Sequence, residues 1–274
     1  MKFAFTTLGC PNWDLDKIIA NAIENGYDGV DFRGYLGQLD IYKFPEFSSN
    51  VKETVKRFQE ASLEIPCFSS SVRFFTNSQE EFENYLEELK NYAVLCQEFQ
   101  TPYIRVFGGS IGDTPRNEAF SIVERNALEY LKIAEDYNVQ LLFETHDDWT
   151  NSEYMREIFN RIHSDHFHVL WDVHHPYRTI GEEPAQTWER LGQWIQYTHW
   201  KDSYVMEGTQ RGYQLCLLGE GDVPLKEIYT LLKDNGYEGY CTLEWEKMWC
   251  PEIEEPEIAF KQYSNFMKDI YISK

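Results

Sequence analysis

Four short apolar runs in the second half of the chain each end in side chains that can bind a metal ion. The runs cover 141–146, 169–175, 195–202 and 241–246 and carry Glu144, Asp172, His199 and Glu244. Their length and apolar character predict buried strands. A carboxylate or imidazole at the end of a buried strand costs free energy unless it has a partner, whereas several brought together share one cation. The pattern therefore predicts a metal site built from these strand ends.

The chemical types of the candidate ligands restrict which metal ion the site can bind. One such residue alone is more often structural than functional, but independent structural needs do not explain the same position on successive strands. Carboxylates combined with imidazole suit a hard or borderline divalent cation, and Mn²⁺, Mg²⁺, Co²⁺ and Zn²⁺ all fit. We expect one ion, with Mn²⁺ as the first candidate. Side chains on a strand repeat every second residue, so Glu246 lies on the same face as Glu244 and is the alternative ligand.

The rest of the sequence predicts the elements that position these groups. Strand-like runs occur at 3–7, 29–32, 64–68, 103–107, 139–144, 167–171, 195–200 and 240–245, with periodically apolar, helix-like stretches between them. No proline- or serine-rich linker divides the chain. Parallel strands joined by right-handed helical crossovers close into a barrel after about eight units. We therefore predict an α/β fold with a single (β/α)8 TIM barrel domain over residues 1–274, whose active site forms at the carboxyl ends of the strands.

Local signals mark where several helices begin and end. Asp14, Ser78 and Asn151 each precede a helix-like stretch and are predicted N-caps, because their side chains accept hydrogen bonds from free backbone N–H groups. Gly26 and Gly236 follow asparagine at the ends of two other stretches. Glycine adopts the left-handed conformation that stops a helix, so both are predicted C-terminal stops.

Further candidates for contact with a substrate lie near the predicted strand ends. They are His146, Lys201, Arg105 and Trp13. His146 and Lys201 share strand faces with the candidate ligands two residues before them. Trp13 is an aromatic wall against which a sugar can pack.

Two patterns leave alternatives open. Arg33, Arg73 and Arg105 fall at or just after the ends of the second, third and fourth strands. Guanidinium groups there can hold an anionic or polyhydroxylated substrate, or they can pair with carboxylates in the barrel mouth. The segment 219–222, Gly-Glu-Gly-Asp, offers backbone N–H groups to a phosphate, but Glu220 repels an anion and a closing loop is favoured.

The amino-acid composition indicates which partners and which cellular compartment to expect. The formal net charge of −21 disfavours nucleic acid, since binding phosphates requires clustered lysine and arginine. No apolar run is long enough to cross a bilayer, and the first 14 residues do not have the pattern of a secretory signal. The six cysteines lie far apart, which is typical of reduced thiols. We expect a cytoplasmic protein without a membrane or nucleic-acid partner.

The motifs Glu144, Asp172-x-x-His175, His199-x-x-Asp202 and Glu244 resemble those of the xylose isomerase-like superfamily of sugar isomerases and epimerases. Similar segments occur at 26–31, 218–225 and 243–246, so the resemblance covers nearly the whole chain. Ketose epimerases of this group hold a divalent ion with Glu, Asp, His and Glu from the fifth to the eighth strand. The resemblance implies the same four ligands here, with His175 as a substrate contact.

The resemblance also implies an activity, that of a metal-dependent isomerase or epimerase acting on a sugar, a sugar phosphate or another keto-sugar. Glu144 and Glu244 are the expected catalytic pair, one removing a proton and the other returning it through a metal-stabilised enediolate. A keto-inositol (inosose) dehydratase-like lyase is the chief alternative, and a barrel that only binds carbohydrate is another. The DNA-repair endonucleases of the superfamily are disfavoured, because no histidine precedes His146 and the chain is acidic. Similar proteins are often dimers, so a homodimer is also considered.

Overall fold

Strands and helices alternate along the chain. The computed structural model describes residues 1–272. Its strands are β1 (Lys2–Thr6), β2 (Gly29–Asp31), β3 (Cys67–Arg73), β4 (Tyr103–Phe107), β5 (Gln140–Glu144), β6 (Phe167–Asp172), β7 (Ile195–Trp200), β8 (Asp202–Val205), β9 (Tyr213–Cys216) and β10 (Tyr240–Leu243). Its α-helices are α1 (Leu15–Asn25), α2 (Val51–Glu60), α3 (Gln79–Phe99), α4 (Arg116–Asp136), α5 (Ser152–Arg161), α6 (His175–Ile180), α7 (Pro184–Leu191), α8 (Leu225–Asp234) and α9 (Pro256–Ile272). Short 3-10 helices lie at Thr7–Gly9, Ile41–Lys43, Pro45–Phe47, Asp147–Trp149 and Gly192–Trp194.

Eight parallel strands form a nearly closed barrel. Their order is β2-β1-β10-β7-β6-β5-β4-β3. The two end strands meet through parallel bridges between Gly29 and Glu64 and between Phe32 and Phe68. The structure thus confirms the predicted TIM barrel.

The barrel interior is filled in layers, and the layer nearest the mouth is polar. An apolar layer at the lower end is formed by Ala4, Cys67, Leu142, Leu170, Tyr197 and Tyr240. Glu144, Asp172 and His199 lie two residues further along their strands than members of this layer, and all three are fully buried. Because side chains alternate along a strand, the positions two residues beyond apolar ones also point inward. The strand period therefore places these polar groups together inside the mouth.

The predicted helix boundaries are confirmed where capping groups were identified. Asp14, Ser78 and Asn151 accept hydrogen bonds from backbone N–H groups in the first turns of α1, α3 and α5. Gly26 ends α1 with a φ of +70°, and Gly236 follows α8 with a φ of +75°. Both glycines adopt the left-handed conformation, in which a side chain would be strained.

The third strand differs from its predicted bounds of 64–68. It begins at Cys67 and continues to Arg73. Within this extension the hydroxyl of Ser69 donates to Asp31 at 2.8 Å, and that of Ser70 donates to the Arg105 carbonyl at 2.6 Å. The polar side chains are therefore satisfied inside the fold, and the strand continues past the apolar run used to predict it.

The antiparallel hairpin of β8 and β9 and the short helix α6 are not among the elements predicted from the sequence. The hairpin lies between β7 and α8. Ser203 on β8 lies 2.8 Å from His174 Nε2, and Arg211 in the hairpin turn donates to Glu246 at 2.7 Å. These contacts attach the hairpin to groups at the barrel mouth.

The loop at 219–223 is held by Asp202 rather than left open for a phosphate. The Asp202 carboxylate accepts the backbone N–H groups of Gly219 at 2.8 Å, Gly221 at 3.1 Å and Val223 at 3.3 Å. A Cβ atom on Gly221 would lie 2.1 Å from an Asp202 oxygen, so only glycine allows this approach. The favoured interpretation of this segment as a closing loop is therefore confirmed.

Replacing Asp202 with alanine is expected to lower the free energy of unfolding by about 2–4 kcal/mol, because one buried and two part-buried backbone N–H groups of the loop lose their acceptor. Urea denaturation of the variant and the parent protein measures this difference. Asp136→Ala, which removes an exposed carboxylate at the end of α4, is the control and is expected to change stability by less than about 0.5 kcal/mol. Equal stability of the Asp202 variant and the parent would contradict the structural role.

The predicted domain of 1–274 includes residues 273 and 274, which lie outside the described residues. Among residues 1–272, no helix is both long and apolar enough to cross a membrane.

Candidate active site

The structure brings the four predicted ligand residues together at the mouth of the barrel. Glu144, Asp172, His199 and Glu244 each offer one nitrogen or oxygen atom, and these atoms all lie within 4.8 Å of one another. The first three residues are fully buried and Glu244 is 6% exposed. Three carboxylates this close in a buried site repel one another unless positive charge compensates them.

His199 is fixed between acidic groups on both sides of its ring. Its Nδ1 atom lies 3.1 Å from a Glu144 oxygen and 3.5 Å from a Glu244 oxygen. Its Nε2 atom lies 3.2 Å from Asp31 Oδ2. Asp31 is itself fully buried and accepts a hydrogen bond from Ser69 at 2.8 Å. The ring is therefore held by Asp31 with Nδ1 directed at the glutamates.

The carboxylates around His199 favour the binding of a cation at Nδ1. In the tautomer that donates from Nε2 to Asp31, the Nδ1 lone pair faces two carboxylates, which is unfavourable unless a proton or a metal ion lies between them. Burial lowers the pKa of His199, but the charge of Glu244 and the hydrogen bonds with Asp31 and Glu144 outweigh it and raise that pKa to about 10. The site thus attracts positive charge at the position where a ligand nitrogen would bind a metal.

Asp172 is oriented by the backbone that follows it. Its Oδ1 atom accepts the N–H groups of His174 at 2.9 Å and His175 at 3.2 Å. Its Oδ2 atom lies 3.3 Å from His175 Nε2 and 2.9 Å from Lys201 Nζ, without hydrogen-bond geometry to either. Burial and the charges of Glu244 and Glu144, opposed by Lys201, raise the pKa of Asp172 to about 7. Asp172 Oδ2 therefore remains available as a metal ligand.

Lys201 supplies positive charge at the edge of the cluster. Its ammonium group contacts Asp172, Glu244 and Glu246. Burial lowers the pKa of Lys201, but these carboxylates more than compensate and raise it well above its ordinary value. Glu246 also binds Arg211 at 2.7 Å, so its carboxylate is shared by two cationic side chains.

Replacing Asp31 with asparagine is expected to weaken Mn²⁺ binding by about 10- to 100-fold, because a carboxylate that accepts from a ligating histidine fixes its tautomer and increases its basicity. Titration of chelator-treated protein with Mn²⁺, followed by electron paramagnetic resonance, measures the affinity. Asp16→Asn, on the exposed side of α1, is the matched control and should leave the affinity unchanged. Unaltered affinity in Asp31→Asn would show that Asp31 does not support a ligand.

The other predicted substrate contacts occupy two places. Arg105 and His146 lie beside the cluster, with Arg105 Nε 3.4 Å from Glu144 and the His146 ring 4.6 Å from that of His175. Trp13 lies in the loop between β1 and α1, where its ring packs edge-on against Phe260 and the Lys17 ammonium lies over it. A role for any of these residues in binding substrate stays a prediction.

Asp31 is not among the site residues predicted from the sequence, although it contacts His199. Its position offered a signal, since Asp31 ends β2 just as Glu144 and Asp172 end β5 and β6. Arg211 was also missed, because the hairpin that brings it to Glu246 was not predicted.

Known proteins are similar to this chain in sequence and in fold. A family model described as a xylose isomerase-like TIM barrel matches residues 19–270. Fructoselysine 3-epimerase of Escherichia coli O157:H7 is 22% identical over 274 residues, covering 96% of this chain and 95% of the relative. The crystal structure of the IOLI protein with a zinc atom has a TM-score of 0.82 at 19% identity and covers 100% of both chains. The probable 3-DHS dehydratase AsbF from Bacillus anthracis has a TM-score of 0.81 at 19% identity, covering 98% of this chain and 99% of AsbF.

These similarities extend over nearly the whole chain rather than over one segment. At 19% identity the two crystal structures show a shared barrel fold. The match over residues 19–270 includes the strands that carry Glu144, Asp172 and His199. The chain therefore belongs to the xylose isomerase-like TIM barrel family.

Proposed function

We propose that the protein is a metal-dependent epimerase or isomerase of a keto-sugar, and that Glu144 and Glu244 transfer the proton. The observation that carries the proposal is that two glutamates approach the same atom, His199 Nδ1, from β5 and from the end of β10. In the sheet, β6 and β7 separate these two strands. The carboxylates therefore reach the centre of the mouth from different directions.

Glu144, Asp172, His199 and Glu244 are the proposed ligands of one divalent ion, with Mn²⁺ preferred and Mg²⁺, Co²⁺ or Zn²⁺ as alternatives. Three carboxylates and one imidazole form a donor set that suits such ions. When bound, the ion would supply positive charge beside the substrate oxygen that becomes negative during the reaction. Glu246 is the rival ligand, but Glu244 faces His199 Nδ1, whereas Glu246 is paired with Arg211, which favours Glu244.

The proposed chemistry is a proton transfer at the carbon next to a carbonyl group. One glutamate removes the proton, the electrons of the C–H bond form a carbon–carbon double bond, and the carbonyl electrons move to oxygen. The other glutamate, which enters the step protonated, donates its proton to the opposite face while the electrons on oxygen re-form the carbonyl, and the centre is inverted. Proton exchange with solvent then returns both glutamates to their starting states. Such carbon acids are weak, so a carboxylate must lie close to the proton and the new negative charge must be stabilised. Lys201 and Arg105, both buried beside these carboxylates, add positive charge to the pocket.

The name of the Escherichia coli relative, fructoselysine 3-epimerase, supports epimerisation of a ketose derivative. The small-molecule partner proposed here is accordingly a carbohydrate with a free keto group. Localisation in the cytoplasm and assembly into a homodimer stay predictions.

A deuterium-uptake screen tests this function. The Mn²⁺-loaded protein is incubated in D₂O with ketoses, keto-glycosides, keto-inositols and their phosphates, and products are analysed by mass spectrometry and proton nuclear magnetic resonance. We expect one substrate class to gain deuterium next to its carbonyl without other change in composition, and chelator-treated protein to be inactive. Loss of water would instead indicate the dehydratase, and binding without uptake or loss would indicate a carbohydrate-binding barrel.

A further inference from the structure

Two arginine side chains share one wall of the barrel mouth beside the proposed reaction centre. Arg33 follows β2, and Arg105 lies within β4. The guanidinium carbon of Arg105 lies 3.7 Å from the ring centre of Phe107, and that of Arg33 lies 5.8 Å from the same ring centre. Two positive charges are therefore held next to one aromatic ring.

The buried nitrogen atoms of both arginines lack acceptors. Nε, Nη1 and Nη2 of Arg105 and Nη1 of Arg33 are buried without a hydrogen-bond partner. Arg105 is fully buried and Arg33 is 7% exposed. Buried donors without acceptors cost free energy, and folded proteins rarely leave several together unless a ligand or water satisfies them. These donors are consistent with a preformed site for a group rich in acceptors.

Glu144 forms an ion pair with Arg105, and the other acidic groups near the arginines contact other partners. Glu144 lies 3.4 Å from Arg105 Nε without hydrogen-bond geometry, and its other oxygen faces the imidazole of the metal cluster. Glu88 accepts a backbone N–H at 2.6 Å. Asp147 lies 2.9 Å from His146 Nδ1. None of these carboxylates forms a bidentate pair with either arginine, so the guanidinium groups remain available.

A row of rings links the arginines to the carboxylate cluster. The ring of Phe107 lies 4.7 Å from that of His146, which lies 4.6 Å from that of His175. Nε2 of His175 is 3.3 Å from Asp172. Phe107 and His146 are only half-buried, so both rings are partly exposed to solvent on this side of the mouth. A substrate lying along these rings would reach the arginines with one end and the cluster with the other.

We propose that Arg33 and Arg105 bind an anionic group, a phosphate ester or a carboxylate, carried by the keto-sugar substrate. Guanidinium groups present planar sets of donors that match the oxygens of phosphate and carboxylate. The anion would satisfy the buried donors and reduce the repulsion between the two positive charges. This inference rests on the proposed function and narrows its substrate class to anionic keto-sugars.

Binding of inorganic phosphate tests the site without requiring turnover. In calorimetric titrations of the metal-loaded protein, Arg33→Gln is expected to weaken phosphate binding by about tenfold to hundredfold. Arg33→Lys should lose less, because it keeps the charge but not the planar fork. Arg156→Gln removes the same charge from the exposed side of α5 and should bind phosphate as the parent does. Equal affinity in the parent and Arg33→Gln, or no phosphate binding by the parent, would overturn the proposal.

The substrate preference of the unaltered protein is a second test that does not depend on a variant folding correctly. Deuterium uptake is compared for a ketose phosphate, a keto-sugar acid and the neutral ketose of equal chain length. We expect kcat/KM to be at least about tenfold higher for one anionic substrate, and Arg33→Gln to remove this advantage through a higher KM. Equal or better use of the neutral ketose would overturn the arginine site while leaving the proposed function intact. Phosphate binding that depends on Arg33, without uptake from any ketose, would contradict the proposed function instead.

Discussion

Replacing Glu144 or Glu244 with glutamine is expected to lower the rate of inversion by about 100- to 10,000-fold, the usual contribution of a positioned acid or base. Glutamine keeps the size of the side chain but neither accepts nor returns a proton at neutral pH. One of the two metal-loaded variants should still exchange substrate hydrogen with solvent, because the remaining glutamate can remove and return the proton on the same face.

The measurement compares inversion, followed by optical rotation, with deuterium uptake in each variant. Both glutamates are also proposed ligands, so only variants shown to contain metal are informative. Glu227→Gln makes the same change of side chain in the first turn of α8 and serves as the control. Normal inversion by both metal-loaded variants would exclude the two-glutamate mechanism.

The second large effect is on metal affinity, where Glu244 and Glu246 form a natural pair for comparison. Glu244→Gln is expected to weaken Mn²⁺ binding by about 100-fold or more, since even loss of a group that supports a ligand costs about 10- to 100-fold. Glu246→Gln is expected to change it by less than about tenfold, because Glu246 contacts Lys201 and Arg211 rather than His199. Equilibrium dialysis with Mn²⁺ measures both variants.

His199→Ala should weaken Mn²⁺ binding at least as much as Glu244→Gln, since it removes the nitrogen that faces both glutamates. A stronger effect of Glu246→Gln than of Glu244→Gln would move the ligand position to residue 246. Unchanged metal content in His199→Ala would contradict the site as a whole.

Much of the barrel could be predicted because its strands are buried on both faces. Runs such as 141–144 and 167–171 are almost continuously apolar, and this pattern is typical of parallel strands covered by helices. The polar groups that end these runs, Glu144 and Asp172, were therefore conspicuous. Their convergence followed from the strand period and from barrel closure.

Other features depend on contacts that local sequence does not encode. The extension of β3 includes Ser69 and Ser70. Their buried hydroxyl groups are satisfied because Asp31 and the Arg105 carbonyl accept their hydrogen bonds. The strands β8 and β9 mix polar with apolar residues and lack the continuous apolar run that predicts a barrel strand. The role of their hairpin becomes visible only when Arg211 is seen beside Glu246.

The contacts of Arg33 and Arg105 also could not be predicted from the sequence. Sequence alone left open whether Arg33 and Arg105 pair with carboxylates or face a substrate, because both arrangements need a guanidinium near a strand end. The proposed anion site rests on the burial of their donors without acceptors, and this burial is a property of the folded mouth rather than of any segment.

The location of the bound ion tests the account most directly. Crystals of the protein containing Mn²⁺, measured for anomalous scattering, should show one peak about 2.0–2.3 Å from His199 Nδ1 and from one carboxylate oxygen of each of Glu144, Asp172 and Glu244. A peak at the neighbouring groups formed by Asp172 with His174 and His175, or by His175 with Glu244 and Glu246, would contradict the proposed ligand set. Absence of any peak at the barrel mouth would contradict the metal-dependent mechanism.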